Sequence, residues 1–263
     1  MITINLLSSF RLTCDGQPVV LQHRRVLLIQ ALWCAAGPVP TESLLRRLQE
    51  QPGSTSRITL RSHISRTRAA VATAGGQPRE LIVTRQAGPD QTTYQLADGI
   101  EVDAERFQQL APLGTQAVRT GDYERGAHIL GRALSLWGAD PDDDRRPLAE
   151  AADRPFAHAR RLRLRDLRKD AMLAMLTAFV SLGRHHEAVA ELEQITREYP
   201  DEGAAPRLLA VALYRCERIG DAAAVCRRAI ENLLAAGHDD APLQELQYAI
   251  LNRTLPLRGA LVS

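Results

Sequence analysis

Lysine is almost missing from this chain: Lys169 stands alone against thirty-two arginines in 263 residues. With the wealth of alanine, that is the mark of a GC-rich coding sequence and says little about mechanism. Cysteine is scarce too. Cys14, Cys34, Cys216 and Cys226 are scattered without Cys-x-x-Cys spacing, which argues against a disulfide framework and a zinc cluster and fits a reducing compartment. No apolar run reaches about eighteen residues, so no transmembrane helix and no membrane partner are expected. The opening MITINLLSSFRLTCDG lacks a basic start and alternates in hydrophobicity, as a strand does and a signal peptide does not. A cytoplasmic protein is expected. Also missing are Gly-x-Ser-x-Gly, a phosphate loop and a glycine-rich dinucleotide turn. With no visible catalytic chemistry, the expectation is a non-enzyme without cofactor, catalytic residue or metal.

What is present is unevenly distributed. Residues 1–100 hold eleven arginines against six acids, whereas residues 101–263 hold twenty-two basic residues against twenty-five acids. A basic front half and a mildly acidic back half point to a polyanion met by the first alone. In that half Ile2, Ile4, Leu6, Phe10 and Leu12 alternate with polar residues, Asp15-Gly16 supplies a tight turn, and Pro18–Leu21 resumes an extended run. A helix follows from Arg24 to Ala36, with Val26, Leu27, Ile29, Leu32 and Trp33 as its apolar stripe and Gly37-Pro38 as its end. Thr41 is expected to cap a second helix, with Leu44, Leu45 and Leu48 inward, which stops before Pro52-Gly53. Ser54 or Ser56 is expected to cap a third, running to about Ala74. Leu81–Gln86 and Thr92–Leu96 then read as a hairpin around Gly88-Pro89-Asp90. Sheet, three helices and a closing hairpin is the plan of a winged helix, whose third helix enters the major groove.

Beyond Asp98-Gly99 strand signals stop, and 103–255 is nearly all helix-compatible. LGRHHEAVAELEQI at 182–195 and CERIGDAAAVCRRAI at 216–230 align with an offset of 34 residues, the period of a tetratricopeptide helix pair. TGDYERGAHILGRAL at 120–134 is a degenerate earlier copy, followed by an insert at 138–156 rich in Asp, Pro and Arg. Leu182, Val189 and Leu192 are expected to fill between helices. The fold class expected is therefore mixed: an α+β winged helix-turn-helix domain over 1–98, then an all-α tetratricopeptide-like domain over 99–263.

RITLRSHISRTRAAV at 57–71, the LIVTRQAG and YQL of the hairpin, VDAERFQQL at 102–110, LSLWGAD at 134–140, PFAHARRLRLRDLRKDA at 155–171, LGRHHEAVAEL at 182–192 and ALYRCERIGDA at 212–222 come in a characteristic order. The ordered set resembles the Streptomyces antibiotic regulatory protein family, a response-regulator-type winged helix joined to a bacterial transcriptional activator domain. The resemblance implies sequence-specific activation at double-stranded promoter DNA, commonly at direct repeats bound side by side or as a homodimer. It also implies recruitment of RNA polymerase to antibiotic-biosynthesis genes. Three segments depart from the family pattern: RRLQEQPGS after the second helix, Thr67 where leucine is usual, and GPDQTT widening the wing. The last two keep open a second reading, a tetratricopeptide-like interaction adaptor whose winged helix no longer binds DNA.

At 100° per residue, Leu60, Ile64, Thr67 and Val71 of the third helix share one core-facing seam. Ile58, Arg61, Ser62, Ser65, Arg66 and Ala69 then point outward or sideways. The expected DNA-binding set is Arg57, Thr59, Arg61, Ser62, Ser65, Arg66 and Arg68 on this helix, with Arg85 and Gln86 near the wing tip. An outward arginine can fork onto guanine, and serine can reach a base or a phosphate. Arg57 and Arg68, flanking the seam, suit phosphates. His23-Arg24-Arg25 at the first helix start is as consistent with structural capping as with a phosphate contact. His185-His186 beside Glu187 does not make a metal site, because adjacent histidines do not share a helix face. Asp142-Asp143-Asp144 lacks the glycine and the glutamate of a calcium loop. The arginines of 160–168, interleaved with Leu162, Leu164 and Leu167, read as surface or interface charge.

Overall fold

The structure, a computed structural model, describes residues 1–49, 56–77, 80–88, 91–138, 146–200 and 202–255. The stop at Pro52-Gly53, the cap at Ser54, the turn at Pro89-Asp90 and the acidic run Asp142–Arg145 lie outside the described residues. The chain forms two compact units. One holds Met1–Gln109 and Ala133–Arg168, the other Leu110–Arg132 and Lys169–Ser263. A small N-terminal α/β part thus precedes a mostly helical remainder.

In the first unit, β1 (Ile2–Asn5), β2 (Arg11–Cys14) and β3 (Gln17–Pro18) form an antiparallel meander. Asp15 and Gly16 both take positive φ, 48° and 79°, so the β-hairpin turns through the mirror-image geometry that matches strand twist. Ile2, Ile4, Leu12 and Cys14 face the core. Helix α1 (His23–Ala35) buries its apolar stripe and closes on Ala36 at φ 54°, one residue ahead of the expected glycine. The two-residue strand β4 (Val39–Pro40) leads into α2 (Thr41–Leu48). Thr41 does not cap α2. It is the first helical residue, and its hydroxyl donates to the carbonyl of Thr92 at 2.9 Å. Helix α3 (Arg57–Thr73) starts at Ser56, whose side chain accepts the Thr59 N–H at 3.1 Å. Such a cap contributes about 1 kcal/mol. Strands β5 (Ile82–Gly88) and β6 (Gln91–Leu96) pair antiparallel, and β4 joins them to give the order β4-β6-β5. Strand β7 (Glu101–Val102) runs parallel to β1 and completes a sheet of order β3-β2-β1-β7.

Packing continues across residue 98. Asp103 opens α4 (Asp103–Arg119) and is buried; its carboxylate accepts from the backbone N–H groups of Leu6 (2.7 Å), Leu7 (3.2 Å) and Ala104 (2.7 Å). Leu6 and Leu7, in the loop that follows β1, would otherwise bury their donors unpaired, at a cost of about 1–3 kcal/mol each. Glu150, in the 3-10 turn Ala149–Ala151, works in the same way. It accepts from the Phe10 N–H at 2.9 Å and from Gln30, buried in mid-α1, at 2.8 Å. The Trp33 indole donates to Glu105 at 3.0 Å, and the Arg160 guanidinium lies 5.4 Å from the Trp33 ring centroid. Phe107 meets Trp137 edge-on at 5.3 Å, with Arg168 stacked on Trp137. These arginines are therefore structural stacking partners, and of the interleaved leucines Leu164 is fully buried while Leu162 is 45% exposed.

In the second unit one turn is built three times. It precedes α5 (Tyr123–Ser135), α7 (His185–Glu198) and α9 (Ile219–Ala236), the last two starting 34 residues apart. Helix α6 (Pro155–Ser181) and α8 (Ala204–Arg215) supply the preceding partners of α7 and α9, and α10 (Ala241–Leu251) packs on α9. Each turn returns a backbone N–H to the carbonyl five residues back: Asp122 to Ala117, Arg184 to Phe179, Arg218 to Leu213, at 2.8–2.9 Å. The residue before it is left-handed each time, Gly121, Gly183 and Glu217. Arg184–Glu187 and Arg218–Asp221 repeat one exposed ion pair. Val189 and Leu192 are buried as expected, whereas Leu182, at the turn itself, is exposed. Among the described residues no helix is long and apolar enough to cross a membrane.

Two buried polar side chains make this packing testable. Burial pushes the Asp103 carboxyl up to about 6, against the hydrogen bonds it receives. A raised folded-state value favours the fold fully below the unfolded carboxyl range and loses that contribution as pH climbs through about 6. The stability of wild type relative to Asp103→Asn therefore falls between pH 4 and pH 7, by on the order of 2–3 kcal/mol, in urea melts; a pH-independent difference would mean that the carboxyl keeps an ordinary value. Thr67 is fully buried and its hydroxyl donates to the His63 carbonyl at 2.8 Å, which a helix already pairs with the backbone N–H of residue 67. Thr67→Val should change stability by less than about 1 kcal/mol. A loss of several degrees in a thermal melt would show a further polar partner.

Candidate nucleic-acid interface

Helix α3 is fixed in rotation by its seam. Leu60, Ile64, Thr67 and Val71 are all buried, as the helical period requires, while Ile58, Arg61, Ser65, Arg66 and Ala69 are exposed and Ser62 is half-buried. The helix therefore shows solvent a crest and two edges. One edge, Arg61–Arg68, looks toward the β5–β6 hairpin, while Arg57 at the helix start faces Glu42 of α2. The other, Thr59–His63–Arg66, looks toward the start of α1.

Between α3 and the hairpin runs an open groove of about 580 Å³, into which Arg61, Ser65 and Ala69 project from the helix and Thr84, Gln86 and Thr92 from the strands. Strand alternation explains the second set. Thr84 pairs with Tyr94 and Gln86 with Thr92, so these four share a face, and Arg85 with its partner Thr93 takes the opposite one. Of the sequence-derived candidates, Arg61, Ser65, Arg68 and Gln86 thus come together in the groove. Arg85 is exposed on the far face of the hairpin, and Thr59 belongs to the N-terminal cap, its hydroxyl 2.9 Å from that of Ser56. The Gln86 side chain donates to the Gly88 carbonyl at 3.0 Å, next to a register shift between these two residues.

The two flanking arginines differ in kind. Arg57 pairs with Glu42 of α2 at 2.6 Å, both side chains more than half exposed. Such a pair is worth about 0–1 kcal/mol and exchanges readily for another anion. Arg68 is spent on the fold. Its Nη2 donates to the Ile82 carbonyl at 2.7 Å and to Thr84 Oγ1 at 2.8 Å, and its Nε reaches the same carbonyl at 3.2 Å. It straps β5 to α3 and so sets the width of the groove, a role different from the phosphate contact that its position beside the seam implied.

Sequence reasoning did not single out Thr84 and Thr92, although alternation with Gln86 marks both. It also passed over His63. This half-buried imidazole is held below its usual value, first by burial and then by Arg24, Arg25 and Arg66. Among the described residues no acidic group acts on it, so α1 and α3 meet at a basic corner.

The comparisons with known proteins agree with this architecture. A family model described as bacterial transcriptional activator domain matches residues 102–251. The chain is 29% identical to the transcriptional regulatory protein EmbR of Mycobacterium tuberculosis over 262 residues, 94% of this chain and 63% of EmbR. It is 32% identical to the regulatory protein AfsR of Streptomyces coelicolor over 206 residues, 77% of this chain and 19% of AfsR. The solved structure of M. tuberculosis EmbR in complex with a low-affinity phosphopeptide matches with a TM-score of 0.81 at 28% identity, over 97% of this chain and 66% of that one. The chain thus spans only part of the length of these relatives. With more than half of its residues matched by the family model, the chain belongs to the bacterial transcriptional activator domain family and is of the Streptomyces antibiotic regulatory protein type.

Proposed function

We propose that this regulator is a cytoplasmic, sequence-specific activator that lays α3 in the major groove of double-stranded promoter DNA. The observation that carries the reading is the Arg61–Ser65–Ala69 face of α3, exposed beside a hairpin that Arg68 holds at a fixed distance. On this reading residues 1–98 act as a winged helix-turn-helix module and 99–263 as the activator module. Arg61 forks onto a guanine edge, Ser62, Ser65 and Arg66 contact bases or neighbouring phosphates, and Arg57 exchanges Glu42 for a phosphate. Gln86 and Arg85 follow the flanking backbone from the hairpin, and Thr59 adds a contact at the helix start. The stacked helix pairs of the activator module present the surface for RNA polymerase or for a neighbouring copy on a direct repeat. Regulation of an antibiotic or other secondary-metabolite cluster fits the family. Nothing in this role calls for enzyme chemistry.

Two features favour this reading over an adaptor that has lost DNA binding. Thr67, the departure from the usual leucine, still fills the core seam with its hydroxyl satisfied. The hairpin, paired as far as Gly88 and Gln91, is strapped to α3. Both keep α3 and the hairpin in the arrangement that groove binding needs.

Fluorescence anisotropy on duplex DNA tests the proposal. Counterion release from several neutralised phosphates should weaken binding by at least about a thousandfold between roughly 50 and 200 mM salt. Arg61→Ala should cost about 1–3 kcal/mol on the specific site and relax the choice at one base. Arg57→Ala should weaken all duplexes alike and lower the salt slope by about one unit. Absence of binding at low salt would favour the adaptor, and equal sequence-independent losses from both variants would overturn the facing assigned to α3.

A further inference from the structure

The basic corner opposite the hairpin is not used by the groove just described. Arg24 and Arg25 come to it from α1, and His63 and Arg66 from α3. Among the described residues none of the three arginines has an ion-pair partner, in contrast to Arg57 with Glu42 and to Arg68 with the hairpin. The Nε of Arg25 is shielded from solvent and donates to nothing among the described residues. Buried donors are paired in the great majority of cases, so an orphan donor beside two more cations marks a place where an acceptor with negative charge is wanted. Like charges assembled without a counterion cost free energy, and an arriving anion recovers it.

We propose that Arg24, Arg25 and Arg66 form a seat for a backbone phosphate of duplex DNA, and that His63 takes up one proton from solvent when the phosphate arrives. This rests on the DNA-binding reading and extends it to a second strand contact on the far edge of α3. Without DNA, burial and the three arginines, which are the charged groups acting on it from α1 and from its own helix, hold the imidazole below its usual value and so disfavour its charged form. A phosphodiester placed among them sets one negative charge against the three cations and so weakens the repulsion felt by the imidazole. The imidazole then becomes a cation and a further donor to the phosphate oxygens. The linkage sign is fixed: a group whose pKa is higher in the complex than in the free protein makes binding tighter as pH falls through that interval. The regulator therefore grips DNA more firmly as the medium acidifies, through a residue that reads no base.

The experiment is anisotropy with one labelled duplex at fixed ionic strength, at pH 8.0 and pH 5.5, for the wild-type chain, His63→Gln and His63→Arg. The ratio of Kd at the two values is the readout, and comparison with the variants cancels every other titrating group of protein and DNA. The wild-type ratio should exceed that of His63→Gln by about three- to tenfold, since a tenfold gain in proton affinity on binding strengthens binding by up to about tenfold at low pH. His63→Arg, with a permanent charge, should be as flat as His63→Gln. An imidazole titration by NMR should place the His63 pKa below the usual histidine value in the free protein and higher with duplex. Inorganic phosphate at equal ionic strength should raise it much less, because a free ion lacks the contacts that hold the DNA backbone in the seat. Equal pH ratios in wild type and His63→Gln, with DNA still bound, would overturn the seat and leave the groove contact standing. No binding of duplex at either pH would overturn both.

Discussion

The rotation of α3 about its own axis decides what this protein can touch, and the seam of Leu60, Ile64, Thr67 and Val71 fixes that rotation. A turn of one residue, about 100°, would bury Arg61 or Arg68 and expose Ile64. Burying either cation unpaired is costly enough to rule the alternative out. Everything assigned to function hangs on this constraint. The crest is polar and small, one edge carries Arg61 toward the hairpin, and the other carries His63 and Arg66 toward α1. The Ser56 cap sets where the helix begins, and the Arg68 strap sets how far the hairpin stands from it. Neither of these residues has to touch a ligand to matter.

A reading helix is useful only on a firm support, since each side chain ordered on binding costs affinity. Support in the N-terminal unit comes from buried carboxylates as well as from apolar packing. Asp103 and Glu150 collect the backbone donors of the loop between β1 and β2, and Glu150 also holds Gln30 in the middle of α1. Both acids lie beyond residue 98, so the segment that begins the activator family match is part of the scaffold on which α1 and α3 rest. The second unit relies on repetition. The same left-handed turn precedes α5, α7 and α9, and Ala188 and Ala222 are buried at equivalent places of the last two.

Local signals were readable in the sequence, and distant ones were not. The seam of α3, a serine cap at Ser54 or Ser56, the tight turn at Asp15-Gly16 and the 34-residue offset depend on neighbours a few residues away or on plain repetition, and each is legible without the fold. Thr41 misleads because its hydroxyl finds the Thr92 carbonyl, fifty-one residues on, before its own helix can use it. Strands β4 and β7, two residues each, exist only because β6 and β1 offer them an edge. The strap formed by Arg68 and the link from Gln30 to Glu150, 120 residues apart, carry no periodic signature at all. His63 was invisible for the same reason. Its neighbours on α3 are ordinary, and only the approach of Arg24 and Arg25 makes it unusual.

The central claim is that the exposed face of α3 meets DNA. Backbone amide shift mapping by NMR, with and without promoter duplex, asks this directly. The largest changes should fall at Arg61, Ser62, Ser65 and Ala69, with a second cluster at Thr84, Gln86 and Thr92 across the groove. Changes concentrated on α7–α9, with α3 silent while the duplex is bound, would contradict it.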